Sequence, residues 1–246
     1  MAYGIFARYY DALTTNIEYR ARAVYFDNLI QKYSTGKKLL LDLACGTGSL
    51  SFEMAKLGYD VIGVDSSADM LSVAMSKNDG SSRAMFLNQP MQNLNLYGTV
   101  DAAICALDSL NHVAPAELKQ VFERLRLFVS LGGVFVFDVN TKYKHQKILA
   151  NNCFVYENDD IYCVWQNYLR EDSSVEIILD FFENRSDNTY IRHRERFCEY
   201  IHEDSHLREA LSAAGFEVHA VYDADTENPL RESSDRVVYV AVRMQD

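Results

Sequence analysis

The sequence predicts an α/β fold: a mixed, mainly parallel seven-stranded sheet with helices on both faces, plus an inserted antiparallel β meander. Three observations predict it. Short apolar runs alternate with helical patterns from about residue 39 to residue 139. Connections of that length between strands imply right-handed crossovers and parallel pairing. Four β-patterned runs joined by polar turns then fill residues 154–200, before one more helix and two strands.

In chain order, residues 1–33 read as helical, with Tyr25, Phe26, Leu29 and Ile30 at helical spacing and Ser34, Thr35 and Gly36 as the stop. Residues 39–43 are a continuous apolar run, the pattern of a strand covered on both faces. Residues 49–57 are helical and Gly58 ends them. Residues 59–64 form the second strand, and Ser66 or Ser67 caps a helix through Ala74. Residues 84–87 and 100–106 are the third and fourth strands. Pro115 opens a helix to about Ser130, after which Leu131-Gly132-Gly133 turns the chain into a fifth strand at 134–139. Residues 141–150 are helical. The meander comprises 154–157, 161–169, 175–184 and 190–200, with turns at Glu157-Asn158-Asp159-Asp160 and Arg185-Ser186-Asp187-Asn188. A helix at 205–214, the stop Gly215 and strands at 216–222 and 237–242 complete the sheet. The chain thus divides into N-terminal helices and ligand-binding core (1–150), an inserted substrate or lid subdomain (151–203) and a C-terminal completion of the sheet (204–246). An insertion after a strand's carboxyl end lies over the ligand crevice of such a sheet.

The 246 residues are 48% apolar and 24% charged, average values that argue against disorder, collagen and coiled coil. The 35 acids outnumber the 24 lysines and arginines, so the net charge of −11 disfavours nucleic acid and anionic membranes as partners. No apolar run approaches the roughly 18 residues that span a bilayer. The start, MAYGIFARYYDAL, lacks the basic and apolar regions of a secretory signal. Cys45, Cys105, Cys153, Cys163 and Cys198 are odd in number and contain no C-x-x-C, which points to reduced thiols in a cytoplasmic protein and to no metal site.

The segment that carries chemistry is Leu40-Leu41-Asp42-Leu43-Ala44-Cys45-Gly46-Thr47-Gly48. A buried strand ends in small residues and two glycines, then enters a helix whose free N–H groups face a ligand. Asp65 ends the next strand, where a carboxylate accepts from ribose hydroxyls. Two cofactor classes use this turn. A dinucleotide fingerprint wants a third glycine, and Ser51 stands there instead. Asp65 has no evident buried partner, so Asp65→Ala is expected to leave folding nearly unchanged.

These residues resemble the class I S-adenosylmethionine-dependent methyltransferases, which have a Rossmann-like fold. Leu41-Asp42-Leu43-Ala44-Cys45-Gly46-Thr47-Gly48 resembles the family's first motif, and Val61-Ile62-Gly63-Val64-Asp65-Ser66-Ser67-Ala68-Asp69-Met70-Leu71 its second strand and following helix. Phe6-Ala7-Arg8-Tyr9-Tyr10-Asp11 is similar to the F-A-x-x-Y-D entry of a small-molecule branch that includes aminosugar N-methyltransferases. Ala106-Leu107-Asp108-Ser109-Leu110-Asn111 is similar to that branch's fourth-strand exit. The resemblance implies S-adenosylmethionine as cofactor, with S-adenosylhomocysteine as product. It implies a binding set that opens with Asp42, Leu43, Ala44, Cys45, Gly46 and Gly48, of which Ala44 to Gly46 lie against the methionine portion. Asp65 would hold the ribose, Ser66 and Met70 the adenosine, and Met91 would offer its N–H to adenine. Leu107 would lie near the methionine end, with Tyr10 and Tyr19 reaching over it, although half-buried packing explains both tyrosines equally well. The family places an Asp before the residue corresponding to Met91, and this chain has Pro90, which has neither side-chain acceptor nor N–H. Gln89 is adjacent but points to the opposite side of an extended segment.

Methyl transfer from a sulfonium is an in-line displacement that needs positioning and exclusion of water more than a dedicated base. The acceptor is expected to be a nitrogen or oxygen of a small molecule, and the protein a monomer or homodimer. Side chains near the strand ends are Asp108, Asn111, His112, Asp138, Asn140, Tyr143 and His145. His112 and Tyr143 are the catalytic candidates, against the commoner use of such residues in packing or solvent contact. Asp108, Asp138 and Asn140 are also a possible Mg²⁺ set, against their commoner use in capping turns. Arg192, Arg194 and Arg196 share one strand face, and pairing across strands with Glu176 and Asp180 is favoured over an anion site. Arg236 matches a phosphate-contact position of the aminosugar branch. Trp165, Tyr162 and Tyr168 serve either an aromatic pocket or packing. A nicotinamide-dependent oxidoreductase and a non-catalytic cofactor-binding regulator remain as alternatives.

Overall fold

A computed structural model describes residues 4–34, 38–78, 80, 82–158, 160–185 and 189–244, with side chains from residue 6 onward. Thr35, Gly36, Asp159, Ser186, Asp187 and Asn188, which belong to the expected stop and turns, lie outside the described residues.

The N-terminal helical stretch is two helices, α1 (Gly4–Leu13) and α2 (Tyr19–Tyr33). The break follows Thr14, whose backbone N–H and Oγ1 both donate to the Tyr10 carbonyl, at 3.0 and 2.8 Å, while Ile17 N–H closes a turn on Thr14 O at 3.0 Å. Then follow β1 (Leu39–Leu43), α3 (Ser49–Lys56), β2 (Asp60–Asp65), α4 (Ala68–Lys77), β3 (Ala84–Asn88), β4 (Val100–Cys105), α5 (Leu118–Phe128) and β5 (Val129–Asn140). The insertion is β6 (Cys153–Glu157), β7 (Ile161–Leu169), β8 (Ser174–Asn184) and β9 (Tyr190–Tyr200), and α6 (Asp204–Ala213), β10 (Phe216–Asp223) and β11 (Arg236–Arg243) close the chain.

The main sheet has seven strands in the order β10-β11-β5-β4-β1-β2-β3, parallel except for β11, which runs antiparallel to β5 and β10. Alternation within β1 sends Leu41 and Leu43 to the core layer under α5 and α6, and Leu40 to the layer under α2 and α3. The chain leaves β1 toward β2 on one side and β4 lies on the other, so the strand order reverses there. Crevices form at such a reversal, beyond the carboxyl ends of the strands.

Two expectations change. Leu131-Gly132-Gly133 does not turn the chain; β5 runs through it, with a register shift against β4 between Val100 and Ala102. Gly133 is needed because a Cβ there would lie 2.7 Å from Ser130 O. The expected helix at 141–150 contains a π-helical turn, Lys144–Leu149.

The meander forms its own four-stranded antiparallel sheet, β6-β7-β8-β9. Its inner face buries Ile161, Cys163, Val175, Ile177, Leu179 and Phe181, and Phe6, Tyr9 and Leu13 of α1 pack on that cluster. Phe6 N–H donates to Glu195 at 2.9 Å and Tyr9 O–H to Glu183 at 2.8 Å. Among the described residues no helix is long and apolar enough to cross a membrane.

Candidate active site

The glycine turn after β1 lies at the reversal. Ala44 (φ 63°), Gly46 (φ 55°) and Gly48 (φ 73°) are all left-handed, which folds the chain back into α3. Glycine is required at 48, where a Cβ would lie 2.8 Å from the Phe86 ring. A Cβ at Gly46 would meet no atom within 4 Å, so the turn is open on the crevice side. Cys45 points inward and is buried.

Asp65 ends β2 beside this turn. One carboxylate oxygen accepts from Gly46 N–H at 2.9 Å and the other from Ser67 N–H at 2.8 Å. Burial pushes its carboxyl above the ordinary value against these two bonds. The expectation that Asp65→Ala would be silent for folding is therefore corrected, because the substitution removes the side-chain partner of two backbone donors. Asp69 is exposed in the first turn of α4, and Ser67 caps that helix by accepting from Met70 N–H at 3.2 Å.

Asp42, under the turn, is buried and accepts from Ser51 Oγ at 2.5 Å. Burial raises its carboxyl from 3.8 to about 7. Unfolded, Asp42 loses its proton near 3.8, so between there and about 7 the folded chain binds more protons than the unfolded one. Its contribution to stability is full below the unfolded value and is lost as pH rises through the folded one. Asp42→Asn is thus expected to melt progressively higher relative to wild type as pH rises from about 4 to about 8. A melting-temperature difference that stays constant over that range would remove this assignment.

A recess of about 40 Å³ adjoins the turn, walled by Tyr10, Tyr19, Asp42, Ala44, Cys45, Gly46 and Leu107 among others. One residue there was not foreseen. Asp11, last of the F-A-x-x-Y-D segment, accepts from Thr47 Oγ1 at 2.7 Å, Ser49 Oγ at 3.2 Å and Lys77 Nζ at 2.7 Å. It ties α1, and Tyr10 with it, onto the glycine turn. On the other side of Asp65, Ser66 is exposed and Met70 is buried. Gln89 is spent on its own loop, donating to Asn95 O at 3.1 Å and accepting from Asn95 N–H at 2.8 Å. Pro90 precedes a 3₁₀ turn, Met91–Asn93, and Met91 packs on the core.

A second cavity, of about 680 Å³, lies between the strand ends and the meander. Its aromatic wall includes Phe6, Tyr10, Phe154, Tyr156, Trp165 and Phe197. Trp165 lines the cavity, whereas Tyr162 and Tyr168 fall on the opposite face of β7 and do not. Tyr143 is 37% exposed and also does not reach it; Lys144 and His112 do.

The polar wall is built on Asp138, whose side chain is completely buried. It accepts from Arg22 at 3.0 Å, Arg236 at 2.5 Å, Leu107 N–H at 3.0 Å and Asp108 N–H at 2.7 Å. Leu107 and Asp108 are left-handed (φ 57° and 55°), and this carboxylate holds them so. Arg236 also pairs with Asp108 at 2.6 Å. Its guanidinium is thus committed to two carboxylates, which weighs against the phosphate contact expected of it. Asn140 donates to Asp108 and Glu199, each at 3.0 Å. Glu199, on β9, was not foreseen and is buried. His145 places Nδ1 3.0 Å from Thr141 O and Nε2 3.0 Å from Glu199 Oε2, so both ring nitrogens are engaged. Burial pushes the Glu199 carboxyl up, but His145, His112 and Asn140 together hold it below the ordinary carboxylate range.

Metal-ligating atoms of Asp108, His112 and Glu199 come within 4.8 Å of one another, but the two carboxylates already have Arg236 and His145 as partners. In the alternative Mg²⁺ set, the carboxylates of Asp108 and Asp138 are bonded to arginines. On the far face of the meander Arg192 and Arg194 bond Asp180, and Arg196 lies 3.5 Å from Glu176, the pairing favoured from sequence.

A family model described as a methyltransferase domain matches residues 40–133. Over 245 residues the chain is 33% identical to a putative methyltransferase of Geobacillus sp. (strain WCH70), covering 98% of this chain and 99% of that one. The crystal structure of an S-adenosylmethionine-dependent methyltransferase from Clostridium acetobutylicum ATCC 824 matches with a TM-score of 0.87 and 27% identity over 98% of each chain. The chain belongs to the S-adenosylmethionine-dependent methyltransferases. A sugar N-methyltransferase from Streptoalloteichus sp. ATCC 53650 shares the fold of this methyltransferase, with a TM-score of 0.80 and 20% identity over 100% of this chain and 94% of that one. The nicotinamide alternative left open by the two-glycine turn falls, as does the non-catalytic one. The methyltransferase offers S-adenosylmethionine a fitting crevice: an open, left-handed glycine turn with a carboxylate at the next strand end.

Proposed function

We propose that this methyltransferase transfers its methyl group to a nitrogen or oxygen of a small-molecule acceptor seated in the 680 Å³ cavity. The observation that carries the reading is that Tyr10 and Leu107 line both the recess at the glycine turn and the large cavity. A methyl donor anchored at the turn would then face the acceptor across these two side chains. The volume suits a small molecule and the aromatic wall suits a ring. The neighbour in fold that acts on a sugar nitrogen favours nitrogen.

On the cofactor side, Ala44, Cys45 and Gly46 would lie against the methionine portion, with Tyr10, Tyr19 and Leu107 around it, and Asp42 and Leu43 support the turn from below. Asp65 would take the ribose hydroxyls in exchange for part of its backbone bonding. Ser66, Met70 and Met91 would border the adenosine. Neither Gln89 nor Pro90 offers adenine an acceptor, since the Gln89 amide is engaged with Asn95. Pro90→Asp is expected to tighten S-adenosylhomocysteine binding by up to about tenfold, the worth of one neutral hydrogen bond. Equal or weaker binding by the folded variant, in calorimetry, would show that adenine is read elsewhere.

The acceptor reading is tested by a metabolite screen that measures S-adenosylhomocysteine release, run beside Trp165→Ala. Turnover is expected to fall more than about tenfold in that variant while cofactor affinity stays within a few-fold, because the meander reaches the cavity but not the glycine turn. A cofactor defect as large as the turnover defect, or no acceptor turned over by wild type, would sink the reading.

A further inference from the structure

Lys144 stands where neither the sequence pattern nor the family resemblance marked a role. It opens the π-helical turn just beyond the carboxyl end of β5 and lines the large cavity. Such turns are rare and concentrate at functional sites. Its Nζ donates to Asn140 Oδ1 at 2.9 Å. The orientation of that amide is fixed from the other end. Asn140 Nδ2 donates to Asp108 Oδ2 and Glu199 Oε2, and carboxylate oxygens only accept. Oδ1 is therefore the atom that faces Lys144. The amine is held by a neutral amide, while the nearby carboxylates are engaged by other side chains: Asp108 by Arg236 and Glu199 by His145. His145 is fully buried, has both ring nitrogens engaged and does not line the cavity.

We propose that Lys144 is the proton acceptor of the methyl-transfer step. The proposal rests on the reading of the large cavity as the acceptor site. The acceptor's nitrogen or oxygen forms a bond to the methyl carbon as the carbon–sulfur bond of the sulfonium breaks, and that bond's electron pair stays on sulfur. The proton that the acceptor must shed passes to the lone pair of neutral Lys144 Nζ, which keeps one N–H on Asn140 Oδ1. The resulting ammonium later returns its proton to solvent. Burial is the main influence on this amine and pushes it below the ordinary lysine value. Asp108, Asp138 and Glu199 face it and favour the ammonium, whereas Arg236 from β11 favours the neutral amine. The neutral form is thus more accessible than on an exposed lysine, and the charged form is still tolerated after transfer.

Two measurements decide the proposal. The first is trace acetylation of the S-adenosylhomocysteine-bound protein with acetic anhydride from about pH 6 to about pH 10, read peptide by peptide by mass spectrometry. Lys147, exposed on the same turn, is the reference. Lys144 is expected to reach half-labelling at a lower pH than Lys147. The same midpoint as Lys147, or no labelling at any pH, overturns the proposal. The second uses an acceptor found by the release screen. Lys144→Met and Lys144→Arg are both expected to lose about 100-fold or more in kcat, with KM for S-adenosylmethionine within a few-fold and the rise of kcat with pH abolished. Arginine keeps the charge but does not accept a proton, so a merely anchoring role would survive in Lys144→Arg. Wild-type-like turnover or an unchanged pH profile in either variant assigns the proton to another group and overturns the proposal. Absence of any wild-type turnover counts against the acceptor reading alone, and the labelling midpoint still rules on Lys144.

Discussion

Asp138→Asn is expected to destabilise the protein by about 3–5 kcal/mol, the range for breaking a buried, hydrogen-bonded charge cluster from one side. The wild-type carboxylate is fully buried and receives four donors: two guanidinium groups and two backbone N–H groups. An amide replaces one acceptor oxygen by an NH₂ group that would point at donors. Arg236 and Asp108 N–H share one oxygen, Arg22 and Leu107 N–H the other, so one of these pairs loses its acceptor: either Arg236 keeps only Asp108, or Arg22 keeps only Asp225, which is half exposed. For a chain of this size the loss corresponds to roughly 6–20 °C in melting temperature. The same change frees either Leu107 or Asp108 from the oxygen that holds it left-handed, so turnover should fall even where the variant is folded. Thermal and urea melts of wild type and Asp138→Asn test the point. A variant that melts within about 2 °C of wild type would mean that the arginines find water or other partners, and that the cluster contributes little.

The proposed cofactor side of the molecule is legible in the sequence because it is local. The glycine turn, Asp65, Ser67 and Met70 all belong to one strand–helix–strand–helix run of about thirty residues, and their spacing fixes their positions. The proposed acceptor side is assembled from distant pieces. Asp138 meets Arg236 because β11 lies antiparallel to β5 with Arg236 opposite Asn140, a register that no local pattern specifies. Glu199 meets His145 only once the meander has folded back on the π-helical turn. That turn also decides which of two adjacent side chains faces inward: Lys144 lines the cavity and Tyr143 does not. In β7 the period of two separates Trp165 from Tyr168, but the orientation of the insertion chooses which of them lines the cavity. Asp11 stood in plain view in the F-A-x-x-Y-D segment. Its role depends on α1 ending early at Thr14 and docking over Thr47 and Ser49, which the continuous helical pattern did not disclose.

Asp65→Ala is expected to weaken S-adenosylhomocysteine binding by at least about tenfold, since a hydrogen bond to a charged acceptor contributes about 1.5–3 kcal/mol. It is also expected to lower the melting temperature, because the carboxylate is a structural tie as well as the proposed ribose acceptor. Gly46 N–H and Ser67 N–H both lose their partner. The Gly46 N–H borders open space, so water can replace the carboxylate there at modest cost. Asp65→Asn separates the two effects. It retains an oxygen for one of the backbone donors and most of the side-chain volume, but it has lost the charge that two ribose hydroxyls would meet. Its melting temperature should lie between those of Asp65→Ala and wild type, with a binding defect close to that of Asp65→Ala. Asp69→Ala is the matched control, exposed in the first turn of α4 and worth only about 0.3–1 kcal/mol to the helix. Calorimetric titration of the four proteins below their melting temperatures decides the matter. If folded Asp65→Ala and Asp65→Asn bind S-adenosylhomocysteine as wild type does, the carboxylate serves the turn alone and the cofactor must lie elsewhere in the crevice.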